Sequence, residues 1–109
     1  MREIKAMIRP ERLDAVLHAL HQIPDLPGVT VSEVRGIGRR PDAAPEEPQY
    51  GDTPMAKLEL VVPDALVASV LAAIEAAART GRPGDGKIFV LPVADAVRIR
   101  DDRRGVDIL

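Results

Sequence analysis

The residues with the clearest chemical potential are cations set beside glycines. Residues 81–87 read GRPGDGK, the spacing of a P-loop, in which backbone N–H groups and a lysine surround a phosphate. The full P-loop reading fails on context. Such a loop follows a strand, carries Ser or Thr after its Lys and opens a helix, whereas here Ile88 follows Lys87 and the flanking patterns are helix before and strand after. The local physics survives: Gly84 and Gly86 let the chain curl so that successive amides face one concavity, and Lys87 adds a charge beside it. An ordinary Gly-rich turn has the same composition. Gly36-Ile37-Gly38 also follows a strand pattern, but the third glycine of a dinucleotide fingerprint is missing and Pro41 blocks the helix that should follow. Arg39 and Arg40 still place two cations there. Arg98 and Arg100, at i and i+2 of a strand pattern, would project to one face and could grip phosphate oxygens in parallel. A solvated basic surface explains either pair equally well.

Other chemistries have less support. Asp14, His18 and His21 fall at i, i+4 and i+7 on one flank of a helix pattern and could in principle offer three metal ligands. That flank borders solvent, and no partner to orient the imidazoles can be named. Ser32 and Ser69 have no identifiable base and there is no nucleophile elbow, so nucleophilic hydrolysis has no support. The absence of Cys excludes disulfides, thiolate zinc sites and Cys nucleophiles and suits a reducing compartment. With 15 basic against 17 acidic residues, a net charge of −2, one Tyr, one Phe and no Trp, neither a positive field nor an aromatic platform exists for nucleic acid. Charges interrupt every apolar run of MREIKAMIRPERL, so it reads as neither signal peptide nor membrane span, and the expected location is cytoplasmic.

The elements that must position these residues follow from periodicity. Glu3 to Arg9 alternates as a strand that Pro10 ends, and Leu13, Val16, Leu17 and Leu20 then form one stripe of an amphipathic helix. Pro24 and Pro27-Gly28 stop that helix, and Val29 to Val34 reads as a second strand running into the Gly36-Ile37-Gly38 turn. Arg40 to Pro54 holds four Pro and four acidic residues, which predicts a long mobile loop. A strand to Val62, a helix through Ala78 with a Leu66, Val70, Ile74, Ala77 stripe, a strand over Ile88 to Val93 and a short strand over Val97 to Arg100 complete the pattern. The halves repeat: IRPERLDAVLHAL superposes on VVPDALVASVLAAI, with Pro10 on Pro63, Leu13 on Leu66 and Leu17 on Val70. Two strand–helix–strand units in series predict a single α+β domain over residues 1–109, a ferredoxin-like βαββαβ fold with both helices on one face of an antiparallel sheet. The uncovered sheet face needs a partner, for which a copy of the same chain is the simplest supply.

Taken together, EIKAMIRPERLDAV, VTVSEVRGIGR, KLELVVPD, TGRPGDGKIFVLPV and AVRIR resemble, in order and over almost the whole chain, the PII signal-transduction family. The most specific stretch runs from Thr80 through Gly84-Asp85-Gly86-Lys87-Ile88-Phe89. The resemblance implies a homotrimer with three clefts between subunits, each taking ATP or ADP, and a protruding loop that docks on partner proteins. It implies that one subunit supplies Gly36, Ile37, Gly38 and Arg39, with Gly84, Asp85, Gly86 and Lys87 at the phosphates and Met7 at the base. The neighbour would supply Gly28, Val29, Thr30, Glu59, Val61, Arg98 and Arg100.

The sequence departs from that family in the loop. Typical members carry Gln where Arg40 stands, and Lys where Met55 stands, as contacts for Mg-ATP and 2-oxoglutarate. The loop is shorter, and the residues around Tyr50 do not match the uridylylated site of some members. These differences imply ADP or ATP sensing without 2-oxoglutarate, Arg40 taking a phosphate directly without Mg²⁺, and a likeness to a divergent PII-like branch, some of whose genes lie beside heavy-metal efflux transporters. The regulated partner would be a transporter or an enzyme, and slow ATP hydrolysis is not expected as the main role. The alternatives are a metal-responsive trimer using Asp14, His18 and His21, or an ordinary 2-oxoglutarate-sensing nitrogen regulator.

Overall fold

The structure, a computed structural model, describes all 109 residues. Six elements in chain order form its frame: β1 (Arg2–Ile8), α1 (Leu13–His21), β2 (Thr30–Arg39), β3 (Tyr50–Val62), α2 (Val67–Ala78) and β4 (Lys87–Pro92). Each helix is entered through a short 3₁₀ turn, Pro10–Arg12 before α1 and Asp64–Leu66 before α2, so the internal repeat of the sequence is also a repeat of backbone geometry. Proline suits such a start because its fixed φ is already helical and its missing N–H would have no partner in the first turn.

The strands form one antiparallel sheet in the order β2-β3-β1-β4, the ferredoxin-like βαββαβ arrangement. Strand alternation sorts side chains between its faces. Ile4, Ala6 and Ile8 of β1 pair with Leu60, Leu58 and Ala56 of β3, and all six are buried beneath both helices, joined by Val16 and Leu20 of α1 and by Val70 and Ile74 of α2. Every buried residue is apolar, so the core is held by aliphatic packing alone. The opposite face carries Glu3, Lys5 and Met7 of β1 beside Lys57, Glu59 and Val61 of β3, with no helix over it.

Two elements differ from the sequence expectation. Residues 50–54, expected as irregular loop, are paired: β2 and β3 run on together through Arg35↔Pro54, Gly36↔Thr53, Ile37↔Asp52, Gly38↔Gly51 and Arg39↔Tyr50. Ladder hydrogen bonds come from the backbone and require no apolar side chain, which is why poor composition misled the expectation. Pro54 is tolerated because β1 ends opposite Ala56, leaving that stretch of β3 unpaired on its other side. Residues 40–49 alone connect the strands, and they carry their own turns, Arg40 N–H to Gln49 O at 2.7 Å, Ala43 N–H to Arg40 O at 3.1 Å and Glu47 N–H to Ala44 O at 2.9 Å. The second difference is at Val97 to Arg100. Val97 makes a single bridge to Arg104, and residues between them close a turn through Arg98 N–H to Arg103 O at 2.8 Å and Asp102 N–H to Arg98 O at 2.9 Å. Asp102, at φ 59°, reverses the chain there, so Arg98 and Arg100 do not lie on one strand face.

Candidate anion-binding site

The pairing register sets the site. Met7 stands opposite Lys57 on one side and Lys87 on the other, so Lys87, Met7 and Lys57 form one row across the uncovered face. In the next row Lys5 lies between Glu59 and Phe89. Lys57 is already committed, its Nζ 3.3 Å from the Glu59 carboxylate, and this contact, followed by one from Glu3, holds the Glu59 carboxyl below its ordinary range. Lys87 forms no ion pair.

Residues 80–87 connect α2 to β4, and Asp85 folds them. Its carboxylate accepts from the Thr80 hydroxyl, from Thr80 N–H and Gly81 N–H at 2.9 Å each, and from Arg9 Nε at 2.9 Å. The Thr80 hydroxyl, then Arg9, holds the Asp85 carboxyl far below the usual carboxylate range. Gly84 and Gly86 have φ of 97° and 95°, and a Cβ on Gly86 would overlap the Met7 carbonyl oxygen. Only glycine satisfies both demands at Gly86. The N–H groups of Gly84 and Gly86 donate to no acceptor in the chain. The loop therefore offers uncommitted amides beside an uncommitted lysine, the elements of an anion cradle. A cleft of about 280 Å³ opens beside it, lined by Met7, Asp85, Gly86 and Lys87 together with Ile74 and Glu75 of α2 and Arg79 just past its end.

Met55 ties this loop to the base of the long hairpin. Its side chain lies in contact range of a Cβ position at Gly36, 3.5 Å, and of one at Gly86, 3.3 Å. Met7, Gly36, Gly84, Asp85, Gly86 and Lys87 are thus brought to one end of the open face. Gly38 and Arg39 lie farther out along the hairpin, and Ile37, paired with Asp52, points to the other side of the ladder. Arg40 is not aimed at this site as expected: its guanidinium turns into its own loop, 3.3 Å from Pro48 O and 3.5 Å from the Glu47 carboxylate, where exposed partners supply the nearest acceptors.

The remaining candidates lie elsewhere. Gly28, Thr30, Glu59 and Val61 line a hollow of about 540 Å³ at the other end of the open face, closed by Glu3 and Leu109. Val29 packs its side chain against the core. Arg98 is gripped by Asp101, Nε and Nη2 at 3.0 and 2.7 Å, and Arg100 sits in the adjoining turn. One chain therefore holds Gly28, Thr30, Glu59 and Val61 apart from Met7, Gly86 and Lys87. Sequence reasoning missed Arg9 and marked Thr80 only as the start of the most specific stretch, with no role; both are partners of Asp85. Thr80 had a local signal, five residues from Asp85, whereas Arg9 is 76 residues away and only the fold brings it near.

The metal alternative is not supported. Asp14, His18 and His21 do not form a ligand group, and His21 Nδ1 lies 3.1 Å from Leu17 O of its own helix. No helix is long and apolar enough to cross a membrane.

Comparison with known proteins agrees with the geometry. The family model for nitrogen regulatory protein P-II matches residues 1–103. The chain is 46% identical to the nitrogen regulatory protein P-II of Rhodospirillum rubrum and 43% identical to that of Azospirillum brasilense, in both cases over 98% of this chain and 98% of the relative. Among solved structures, that of Arabidopsis thaliana PII bound to citrate is similar with a TM-score of 0.81 and 42% identity, covering 97% of this chain and 89% of that one. A match of this extent, on a chain whose own strands and Gly-rich loop carry the pattern, means that the chain belongs to the P-II family of nitrogen regulatory signal-transduction proteins.

Proposed function

We propose that this regulator binds ADP or ATP in clefts between the subunits of a homotrimer and controls a partner transporter or enzyme through the tip of its long hairpin, acting in the cytoplasm. The observation that carries the reading is the loop at residues 80–87, where Gly84 and Gly86 leave amides uncommitted beside an unpaired Lys87. Two amides and an ammonium suit phosphate oxygens. The division of the expected residues supports a shared cleft. Met7, Gly36–Arg39 and Gly84–Lys87 of one subunit would meet Gly28, Val29, Thr30, Glu59, Val61, Arg98 and Arg100 of the next, so that residues one chain keeps apart would share a cleft. Apolar Phe89, Leu91 and Val61 on the uncovered face favour the association that would bring them together. The Arabidopsis thaliana relative is bound to citrate, which supports reading this chain as one that takes a multiply charged anion.

Two residues argue against 2-oxoglutarate as a co-effector. Met55 presents a thioether where a carboxylate would need a cation, and Arg40 is folded onto Glu47 and Pro48. Asp85, the loop's carboxylate, is saturated by donors and has no lone pair directed to Mg²⁺. Isothermal titration with ADP and ATP, each with and without Mg²⁺ plus 2-oxoglutarate, tests all of this. Lys87→Ala should weaken ATP by roughly tenfold, the worth of one charge-assisted contact. Unchanged affinity in that variant removes the site assignment, and a 2-oxoglutarate-dependent gain in affinity restores the ordinary nitrogen-sensor reading.

A further inference from the structure

We propose that Arg9 is a positioning residue for the anion loop: it fixes the loop's shape and cancels the charge of Asp85 beside the bound phosphates. The inference rests on the nucleotide reading above. Arg9 follows buried Ile8 at the end of β1 and precedes Pro10, which opens the turn into α1, so its backbone is held from both sides. From there its guanidinium reaches across to the loop, donating from Nε to the Asp85 carboxylate at 2.9 Å and from Nη2 to Pro83 O at 2.7 Å. Its side chain is only 19% exposed, and Nη2 lies 3.3 Å from the Cβ position of Gly84. The loop thus curls around a guanidinium that is itself anchored to the sheet.

Two effects follow. The planar fork holds a backbone carbonyl and a carboxylate at once, which an ammonium cannot match in geometry. It also pairs a full negative charge located one residue from Gly84 and Gly86, the very amides left for an anion. Without Arg9, Asp85 would repel phosphate through a short, partly shielded distance. The charge effect distinguishes this role from general support of the fold, because it scales with the charge of the ligand.

The test is titration of wild type, Arg9→Ala, Arg9→Lys and the double variant Arg9→Ala/Asp85→Asn with ATP, ADP and uncharged adenosine, with thermal melts to verify folding. Arg9→Ala should weaken ATP by roughly tenfold and ADP by less, while adenosine stays within about twofold. Arg9→Lys should recover part of the ATP loss, and removal of the Asp85 charge in the double variant should narrow the gap between ATP and adenosine. Equal losses for all three ligands, or wild-type ATP affinity in Arg9→Ala, overturn the proposal and leave the nucleotide reading standing. Failure of wild type to bind ATP or ADP overturns both.

Discussion

Two turns of this molecule contain the same ingredients, an aspartate and an arginine beside backbone amides, and use them in opposite ways. In residues 80–87 Asp85 takes donors from Thr80, Gly81 and distant Arg9, so the negative charge is consumed in building the turn and Lys87 is left free. In residues 98–103 Asp101 takes Arg98 itself, three residues away, through two hydrogen bonds. That contact raises the pKa of Arg98 and lowers that of Asp101. On the proposed reading the first turn is preorganised toward an anion, whereas the second would have to exchange its internal carboxylate for an external phosphate. Preorganisation cuts the cost of binding, and competition adds to it.

The first turn is most vulnerable at Gly86. Gly86→Ala puts a Cβ onto the Met7 carbonyl at a φ of 95°, and the expected loss is about 2–4 kcal/mol of stability, read from urea midpoints, because strain and overlap add. The same substitution at Gly38, where a Cβ meets nothing within 4 Å, should leave the midpoint nearly unchanged. Asp85→Asn should have a smaller effect with a definite pH signature. Because folding lowers the Asp85 pKa from its ordinary 3.8, its stabilising contribution is complete above about pH 4 and is lost as pH falls further. The variant should therefore melt below wild type at pH 7, with the gap beginning to narrow only below about pH 4 and still open at pH 3. Asp101→Asn is the mildest change. Releasing Arg98 from an exposed pair should tighten ATP by roughly two- to fivefold, the scale of surface ion pairs, and weaker binding would mean that Asp101 orients Arg98 rather than occupying it.

The parts of the fold that bury apolar surface were legible in the sequence. Alternating Ile4, Ala6 and Ile8, and Leu58, Leu60 and Val62, are buried as strands, and Val16, Leu20, Val70 and Ile74 mark the packed faces of α1 and α2. The outer ladder was not legible, because Gly51 to Pro54 contribute backbone pairing without side-chain burial. The turn at Asp101 and Asp102 escaped for a related reason: a strand pattern at Val97 to Arg100 says nothing of the carboxylate that captures Arg98. At the site, Gly84, Gly86 and Lys87 announced themselves because positive φ and charge are local demands. Arg9 could not, since its two acceptors lie in the far half of the chain.

The β2–β3 hairpin has a mechanical consequence. Its ten pairs, from Thr30↔Glu59 to Arg39↔Tyr50, divide at Ala56: inward of it the strands lie on the core, and outward they have only each other. Such a ladder behaves as a zipper with a stop. Peeling from the tip breaks one rung at a time against backbone bonds that water readily replaces, until it meets residues that cannot leave without exposing Leu58 and Leu60. A protein that seized the tip of residues 40–49 would therefore reshape it and the rungs out to Gly36↔Thr53 first, and the loop at residues 80–87 would register the pull only when Met55, in contact range of Gly86, moved.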